Sequence, residues 1–182
     1  MRWSRLFADL DGQFDAADQA ERAAITADLR RLEVSRLELV QRLRGALGSS
    51  VALTVEGADP LTCRLSQVGR DWLLVTTEAG GEIVVALGAL SSVTGLPASV
   101  AAAADEADTS LGLSFVLRRL ARDRLTVTVV TRSAVSFTGT VDRVGADYLD
   151  LAEHTADRPR RATNVQRVRT IAFGALAVVR PA

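Results

Sequence analysis

The residue types that most often carry acid–base, nucleophilic or metal chemistry are scarce in this sequence. Among 182 residues there is one cysteine, Cys63, and one histidine, His154. A nucleophilic site needs a nucleophile beside a base, and a structural zinc site needs four ligands, so this pair supplies neither. Cys63 occupies an inward position of a predicted strand, where a thiol is an inert apolar group. His154 falls in a predicted loop, and we expect its side chain to be solvated.

Paired carboxylates are the next candidates for chemistry. Asp147 and Asp150 are near enough in sequence to bind a cation or exchange a proton. Their positions favour a simpler interpretation, a turn acid and an outward-facing strand residue. The acidic residues lack the spacing of a calcium-binding loop, and Gly80-Gly81 precedes a predicted strand, whereas a phosphate-binding loop precedes a helix. The sequence therefore predicts a protein that is not an enzyme and that binds no cofactor, metal ion or small-molecule substrate.

A run of arginines near the end of the chain is the one local basic feature. Five fall within twelve residues: Arg158, Arg160, Arg161, Arg167 and Arg169. Guanidinium groups on a hairpin loop could neutralise phosphates, and Tyr148 or His154 could stack on a base. The alternative is a solvated loop whose charge balances Glu153 and Asp157. Under the first interpretation the five arginines and Tyr148 form a candidate nucleic-acid site.

The overall charge limits the choice of partner. The chain has 22 basic residues, all of them arginine, and 22 acidic residues, so its net charge is zero. The whole molecule therefore exerts no long-range attraction on a polyanion or an anionic membrane. No segment resembles a signal peptide, and no run of about 18 apolar residues could span a bilayer. The sequence predicts a cytoplasmic protein without a membrane partner.

The apolar pattern of residues 1–47 predicts an N-terminal helical segment. This stretch contains no proline, and its apolar residues recur three, four or seven positions apart, at Ile25, Leu29, Leu32, Leu39, Leu43 and Leu47. Such a stripe packs either on the rest of the same chain or on a second chain, and both arrangements stay open.

After Gly48 the apolar period shortens from about 3.6 to about 2, which predicts strands. Five short apolar segments, separated by turns at Gly57–Pro60, Gly69 and Gly80-Gly81, fall within residues 48–96. No room is left for a helix between them. We therefore expect a small closed barrel in this region.

The remainder of the chain predicts a linker and a second domain. Residues 97–110 are small and acidic and are typical of a linker. Residues 111–182 begin with a predicted helix, from Leu111 to about Arg122, which Thr109 or Ser110 could cap. Strands follow this helix to the end of the chain.

The second set of strands repeats the first at an offset of 76 residues. The segment from Val68 to Leu73, VGRDWL, returns as VGADYL at residues 144–149. The segment ALGAL at residues 86–90 returns 86 positions later as AFGAL, so ten extra residues lie in the arginine-bearing hairpin. The sequence thus predicts an α+β, mainly β protein with two helix-plus-five-strand units related by duplication.

Both units resemble the Sm and Hfq family of SH3-like barrels. The stretches GALSSV (88–93) and GALAVV (174–179) are similar to the tight turn that joins the family's last two strands. The resemblance covers residues 36–95 and 112–180. It implies rings that close by pairing edge strands, and RNA bound by an Asn after strand two and an Arg-Gly before strand five. This chain has Leu74 and Asp150, and Leu87-Gly88 and Phe173-Gly174, in those places, so the base-reading groups are missing.

The opening RWSRLFADL at residues 2–10 is similar to that of a set of actinobacterial proteins, some of which are described as Fis-type regulators. That description implies a C-terminal helix-turn-helix, whereas Thr170–Val179 has a strand pattern. Two functions stay open. One is an RNA- or DNA-associated regulator that uses the arginine loop. The other is a protein-interaction or self-assembly module that uses the N-terminal helix or the edge strands of the barrels.

Overall fold

The computed structural model of the protein describes residues 37–97, 111–156 and 161–182. The chain divides into two compact units, Met1–Glu38 and Leu39–Ala182, and the second contains every helix and strand given below. Most of the predicted N-terminal helical stripe and almost all of the predicted linker lie outside the described residues.

The second unit has two halves, each made of one helix and five strands. The first half contains α1 (Leu39–Arg44), β1 (Ser50–Val55), β2 (Leu61–Val68), β3 (Trp72–Thr77), β4 (Glu82–Ala86) and β5 (Leu90–Thr94). The second half contains α2 (Leu113–Asp123), β6 (Thr126–Thr131), β7 (Ser136–Val144), β8 (Tyr148–Glu153), β9 (Arg167–Ala172) and β10 (Leu176–Pro181). A 3₁₀ turn links the last two strands of each half, at Leu87–Ala89 and Phe173–Ala175. The predicted mainly β class is confirmed.

All ten strands form one sheet, in the order β5-β1-β2-β3-β4-β10-β6-β7-β8-β9. Every neighbouring pair is antiparallel. The prediction of closed barrels is wrong, because the sheet does not close: β4 pairs with β10 of the other half, while β5 and β9 are the two ends of the sheet. The first half thus follows the order 5-1-2-3-4, and the second half follows the same order.

Alternating side chains place the core on one face of the strands. Val51, Leu53 and Val55 of β1 are buried and alternate with exposed residues, as expected for a half-buried antiparallel strand. One apolar cluster runs through both halves and includes Leu43 of α1 and Leu117 of α2, which are both fully buried. The helices therefore cover the same continuous core as the sheet.

The second helix begins two residues later than predicted and has an unexpected partner at its start. Its first N–H, from Leu113, donates to Asp71 Oδ1 at 2.6 Å. Just before the helix, the backbone carbonyl of Leu111 accepts from Trp72 Nε1 at 2.9 Å and from the Arg70 N–H at 3.2 Å. The turn before β3 thus holds the start of α2 across 42 residues of sequence. The predicted caps, Thr109 and Ser110, lie outside the described residues.

Several irregular features recur in the two halves at the offsets of the sequence repeat. The register shift of β2 between Leu65 and Gln67 returns in β7 between Val141 and Arg143. The N–H of Gly69 donates to the Trp72 carbonyl at 2.9 Å, and the 2.8 Å bond between Gly145 and Tyr148 is its counterpart. Bulges are local irregularities that related structures keep. Their recurrence at equivalent positions therefore shows that the two halves are alike in local detail as well as in strand order.

Candidate interaction surfaces

The arginines of the candidate nucleic-acid site are not all in a loop. Arg167 and Arg169 belong to β9, where the hairpin has already ended, and Arg161 lies in the connecting segment and is exposed. Arg158 and Arg160 lie outside the described residues. The prediction that all five arginines occupy one hairpin loop is therefore wrong for two of them, because strand pairing with β8 begins at the Glu153–Arg167 pair.

An acidic side chain on the neighbouring strand engages both strand arginines. Arg167 Nε lies 3.3 Å from Glu153 Oε2, and Arg169 Nε donates to Glu153 Oε1. The Arg169 guanidinium also stacks over the Phe137 ring, 4.0 Å from its centroid. These contacts neutralise part of the positive charge that would attract a phosphate group. They favour the interpretation in which Glu153 balances the arginines.

Tyr148 does not lie beside the arginine segment. It begins β8, and Glu153, which faces Arg167, ends the same strand. Five steps of a strand separate the two residues by about 17 Å. The structure therefore does not bring Tyr148 together with Arg161 and Arg167 into one base-stacking site.

His154 is buried, so the prediction of a solvated loop histidine is wrong. Only 3% of its surface is exposed. Its Nδ1 lies 2.9 Å from the Thr155 carbonyl, which can only accept, so Nδ1 carries the proton and donates. The hydroxyl of Thr140, itself fully buried, lies 2.9 Å from Nε2, within hydrogen-bond distance. A hydrogen bond to the next residue and another to Thr140 of β7 thus hold His154 in the interior, although it lies in a connecting segment, and give it a structural role.

Cys63 occupies the inward position that its place in the strand predicted. It lies in β2 and is 2% exposed. Burial raises the pKa of the Cys63 thiol above its usual value, because the low-polarity surroundings disfavour the thiolate. Within the described ranges, no group of three or more His, Cys, Asp or Glu residues is arranged to hold a metal ion.

The contact between β4 and β10 joins the two halves. Val84 faces Val179, and Val85 faces Val178, in antiparallel register. All four valines are buried. The last strand of the second half therefore completes the edge of the first half, so that one sheet edge from each half is covered within the chain.

The two ends of the sheet are more polar than this internal junction. By the repeat offset of 86 residues, Thr170 and Ile171 of β9 correspond to Val84 and Val85, and Ser92 and Val93 of β5 correspond to Val178 and Val179. The positions equivalent to two of the four buried valines thus carry hydroxyl residues, Thr170 and Ser92, and both of these residues are exposed. Uncovered edges of a sheet present unpaired backbone donors and acceptors, and polar side chains limit promiscuous pairing there.

A second contact between the halves is an ion pair. Arg132 donates from Nε to Glu56 Oε2 at 2.6 Å and from Nη2 to Glu56 Oε1 at 3.1 Å. The guanidinium lowers the pKa of the Glu56 carboxyl, first through the hydrogen bond and also through its charge. Neither residue stands out by any motif. The signal that could have identified them is that they occupy the same position of the 76-residue repeat with opposite charges.

The equivalent aromatic residues Trp72 and Tyr148 have different surroundings. Trp72 is 6% exposed beneath the start of α2, whereas Tyr148 is 40% exposed. A mostly apolar cavity of about 790 Å³ lies beside Trp72, between the two halves, and α2 contributes Val116 and Leu120 to its wall. The surface that α2 covers in the first half is thus open in the second half, among the residues that the structure describes.

Comparison with protein-family models, with curated proteins and with solved structures finds no match to this chain in any of the three. Neither helix in the described part of the chain is long and apolar enough to cross a membrane.

Proposed function

We propose that the protein is a non-enzymatic assembly module, in which copies of the chain join end to end through the free edges β5 and β9. The proposal includes an origin by duplication, in which each half is an Sm/SH3-like unit. The matching strand order, the matching register shifts in β2 and β7 and the matching 3₁₀ turns support that origin. The partner is then a second copy of the same chain.

The observation that carries the proposal is the internal β4–β10 junction. It joins the fourth strand of one unit to the fifth strand of the next unit. The same junction, repeated between chains, would join β9 of one copy to β5 of the next. Because the two free edges differ from each other, such a contact is heterologous and generates either a closed ring or an open filament.

The register of the internal junction specifies which residues would meet between copies. Since Val85 faces Val178 and Val84 faces Val179, Ile171 would face Ser92 of the next copy and Thr170 would face Val93. Paired backbone groups supply most of the attraction in such an added strand. The exchange of two valines for hydroxyl residues makes the contact between copies weaker than the internal one, so we expect assembly to depend on concentration.

The ion pair also continues through the proposed assembly. Glu56 of the first unit contacts Arg132 at the equivalent position of the second unit. Repetition of this contact between copies would bring Arg132 close to Glu56 of the next chain. The two positions would then alternate in sign along the whole assembly, and no like charges would meet.

The experiment that tests the proposal uses two opposite substitutions of one exposed edge residue. Ser92→Val restores the residue of the internal junction, and Ser92→Arg places a cation opposite Ile171 and beside Arg169. We expect Ser92→Val to tighten assembly by about five-fold, because a good cross-strand pair contributes up to ~1 kcal/mol. Ser92→Arg should give monomers at the same concentration. Sedimentation velocity over a micromolar concentration series measures both effects.

The unfolding midpoint in urea provides the control for these variants, since Ser92 is exposed in the single chain and either substitution should leave the fold intact. A wild-type chain that stays monomeric throughout the series would contradict the proposed function. Equal assembly of the valine and arginine variants would show that β5 is not the contact.

Nucleic-acid association is a second proposal, favoured by the exposure of Arg161 and by the side chain of Arg167, which is 63% exposed. It predicts binding to single-stranded RNA or DNA that weakens steeply with salt and that falls when Arg160 and Arg161 become Ala. Fluorescence anisotropy at low salt measures it. Negligible affinity of the wild-type chain under those conditions would exclude this function.

A further inference from the structure

The open surface around Tyr148 has a covered counterpart in the same chain. In the first half, the turn before β3 presents Trp72 to the start of α2 and accepts the Leu113 N–H on Asp71. In the second half, the same turn keeps its internal geometry: the Asp147 carbonyl accepts from the Phe173 N–H at 2.7 Å, as the Asp71 carbonyl accepts from Leu87 at 3.0 Å. The turn therefore has the same backbone hydrogen bond in both halves. Among the described residues, only the turn of the second half has no helix over it.

The covering element also has a counterpart with an exposed apolar residue. At an offset of 77 residues, Leu39 and Leu43 of α1 correspond to Val116 and Leu120 of α2. Val116 and Leu120 line the cavity beside Trp72 and are partly buried. Leu39, by contrast, is 45% exposed. The positions equivalent to the two sides of that cavity, Leu39 and Tyr148, thus both carry large side chains that are exposed in the part of the chain that the structure describes.

We propose that Tyr148 and its turn form a docking surface for helix α1 of a second copy of this chain, with Leu39 packing beside Tyr148. This inference rests on the proposed end-to-end assembly and adds a second contact to it. The direction is consistent: in the internal junction, the unit that supplies its fifth strand to β4 also supplies the helix that covers Trp72. The copy that adds β5 to β9 therefore brings α1 towards Tyr148.

A cross-linking experiment with two different single-cysteine additions tests the contact. Leu39→Cys and Tyr148→Cys chains are mixed in equal amounts and treated with a short bismaleimide, and the products are separated on a denaturing gel. Neighbouring thiols have an effective concentration in the millimolar range, so at micromolar protein this pair should form cross-linked dimers roughly 100-fold faster than a random pair. Each variant alone shows the background, including any reaction of the buried Cys63.

The matched control mixes Leu39→Cys with Val135→Cys, because Val135 is also 45% exposed but lies in the turn between β6 and β7, at the opposite end of β7 from Tyr148. Selective cross-linking of Leu39→Cys with Tyr148→Cys supports the inference. If sedimentation velocity shows that the chains assemble but both mixtures cross-link equally, the Tyr148 surface is not the docking site, and the proposed edge pairing is unaffected. If the chains do not assemble at all, the proposed function fails as well.

Discussion

At the scale of single residues, Gly139 is the position where one added methyl group should matter most in the second half. It lies in β7 opposite Glu153, and a Cβ there would overlap the backbone carbonyl of Ala152. A backbone carbonyl within a paired strand cannot move away as a flexible side chain can. The steric clash in Gly139→Ala should therefore destabilise the protein by about 1–3 kcal/mol. Urea unfolding followed by circular dichroism measures the change.

The control for Gly139→Ala is Gly174→Ala. Gly174 lies in a 3₁₀ turn, and a Cβ there would have no neighbour within 4 Å. We expect this variant to unfold within about 0.5 kcal/mol of the wild type. Equal effects of the two substitutions would show that the close approach of β7 and β8 is not what requires glycine at position 139.

Burial makes a separate prediction for Cys63. Because its surroundings raise the pKa of the thiol, little thiolate forms at neutral pH, and the buried sulfur is also out of reach. Reaction with a disulfide reagent should therefore be slow in the folded protein and fast in denaturant. Labelling of the folded protein as fast as that of the unfolded chain would place Cys63 at the surface.

At the scale of elements, the start of α2 depends on a residue from the other half of the sheet. Asp71→Ala removes the acceptor of the Leu113 N–H, and loss of such a cap typically costs ~1 kcal/mol. Asp147→Ala is the matched control, since Asp147 holds the equivalent turn position and no described helix begins there. The expected result is a lower urea midpoint and faster amide exchange at Leu113 for Asp71→Ala alone.

The strands could be predicted from the sequence, but their pairing could not. Alternation at Val51, Leu53 and Val55 depends only on the two faces of a strand, and it is visible in any strand with one buried face. The pairing of β4 with β10 joins residues more than 90 positions apart, Val85 with Val178 and Val84 with Val179, and no local pattern encodes it. The repeat by itself indicates only that the halves are alike, whereas pairing between edge strands is an expectation that rests on the resemblance to Sm-type units.

The same limit explains the outcome at the candidate sites. The inward position of Cys63 follows from strand alternation, so it was predictable. The burial of His154 depends on Thr140, a residue of β7, and the neutralisation of Arg167 and Arg169 depends on Glu153 of β8. These contacts are made across strands, and the sequence places their partners only after the register is known.

At the scale of the whole molecule, the ion pair between the halves makes their contact sensitive to pH. Arg132 lowers the pKa of Glu56 in the folded protein, so the pair stabilises the fold at pH values above the unfolded carboxyl's pKa. This contribution is lost as the pH falls through the lower, folded-state pKa. We therefore expect Glu56→Gln to lower the Tm at neutral pH and to have no effect in strong acid. A Tm difference that is independent of pH would contradict this assignment.

The same pair can also test how copies join. Exchanging both residues, Glu56→Arg with Arg132→Glu, keeps an attractive pair inside each chain and, in the proposed assembly, between copies of the exchanged chain. Between an exchanged and a wild-type copy, however, position 132 of one chain would carry the same charge as position 56 of its neighbour, so like charges would oppose each other. Each protein should thus assemble with itself and exclude the other. Native mass spectrometry of an equimolar mixture measures this sorting, and a statistical mixture of the two chains would show that the contact seen within the chain is not repeated between copies.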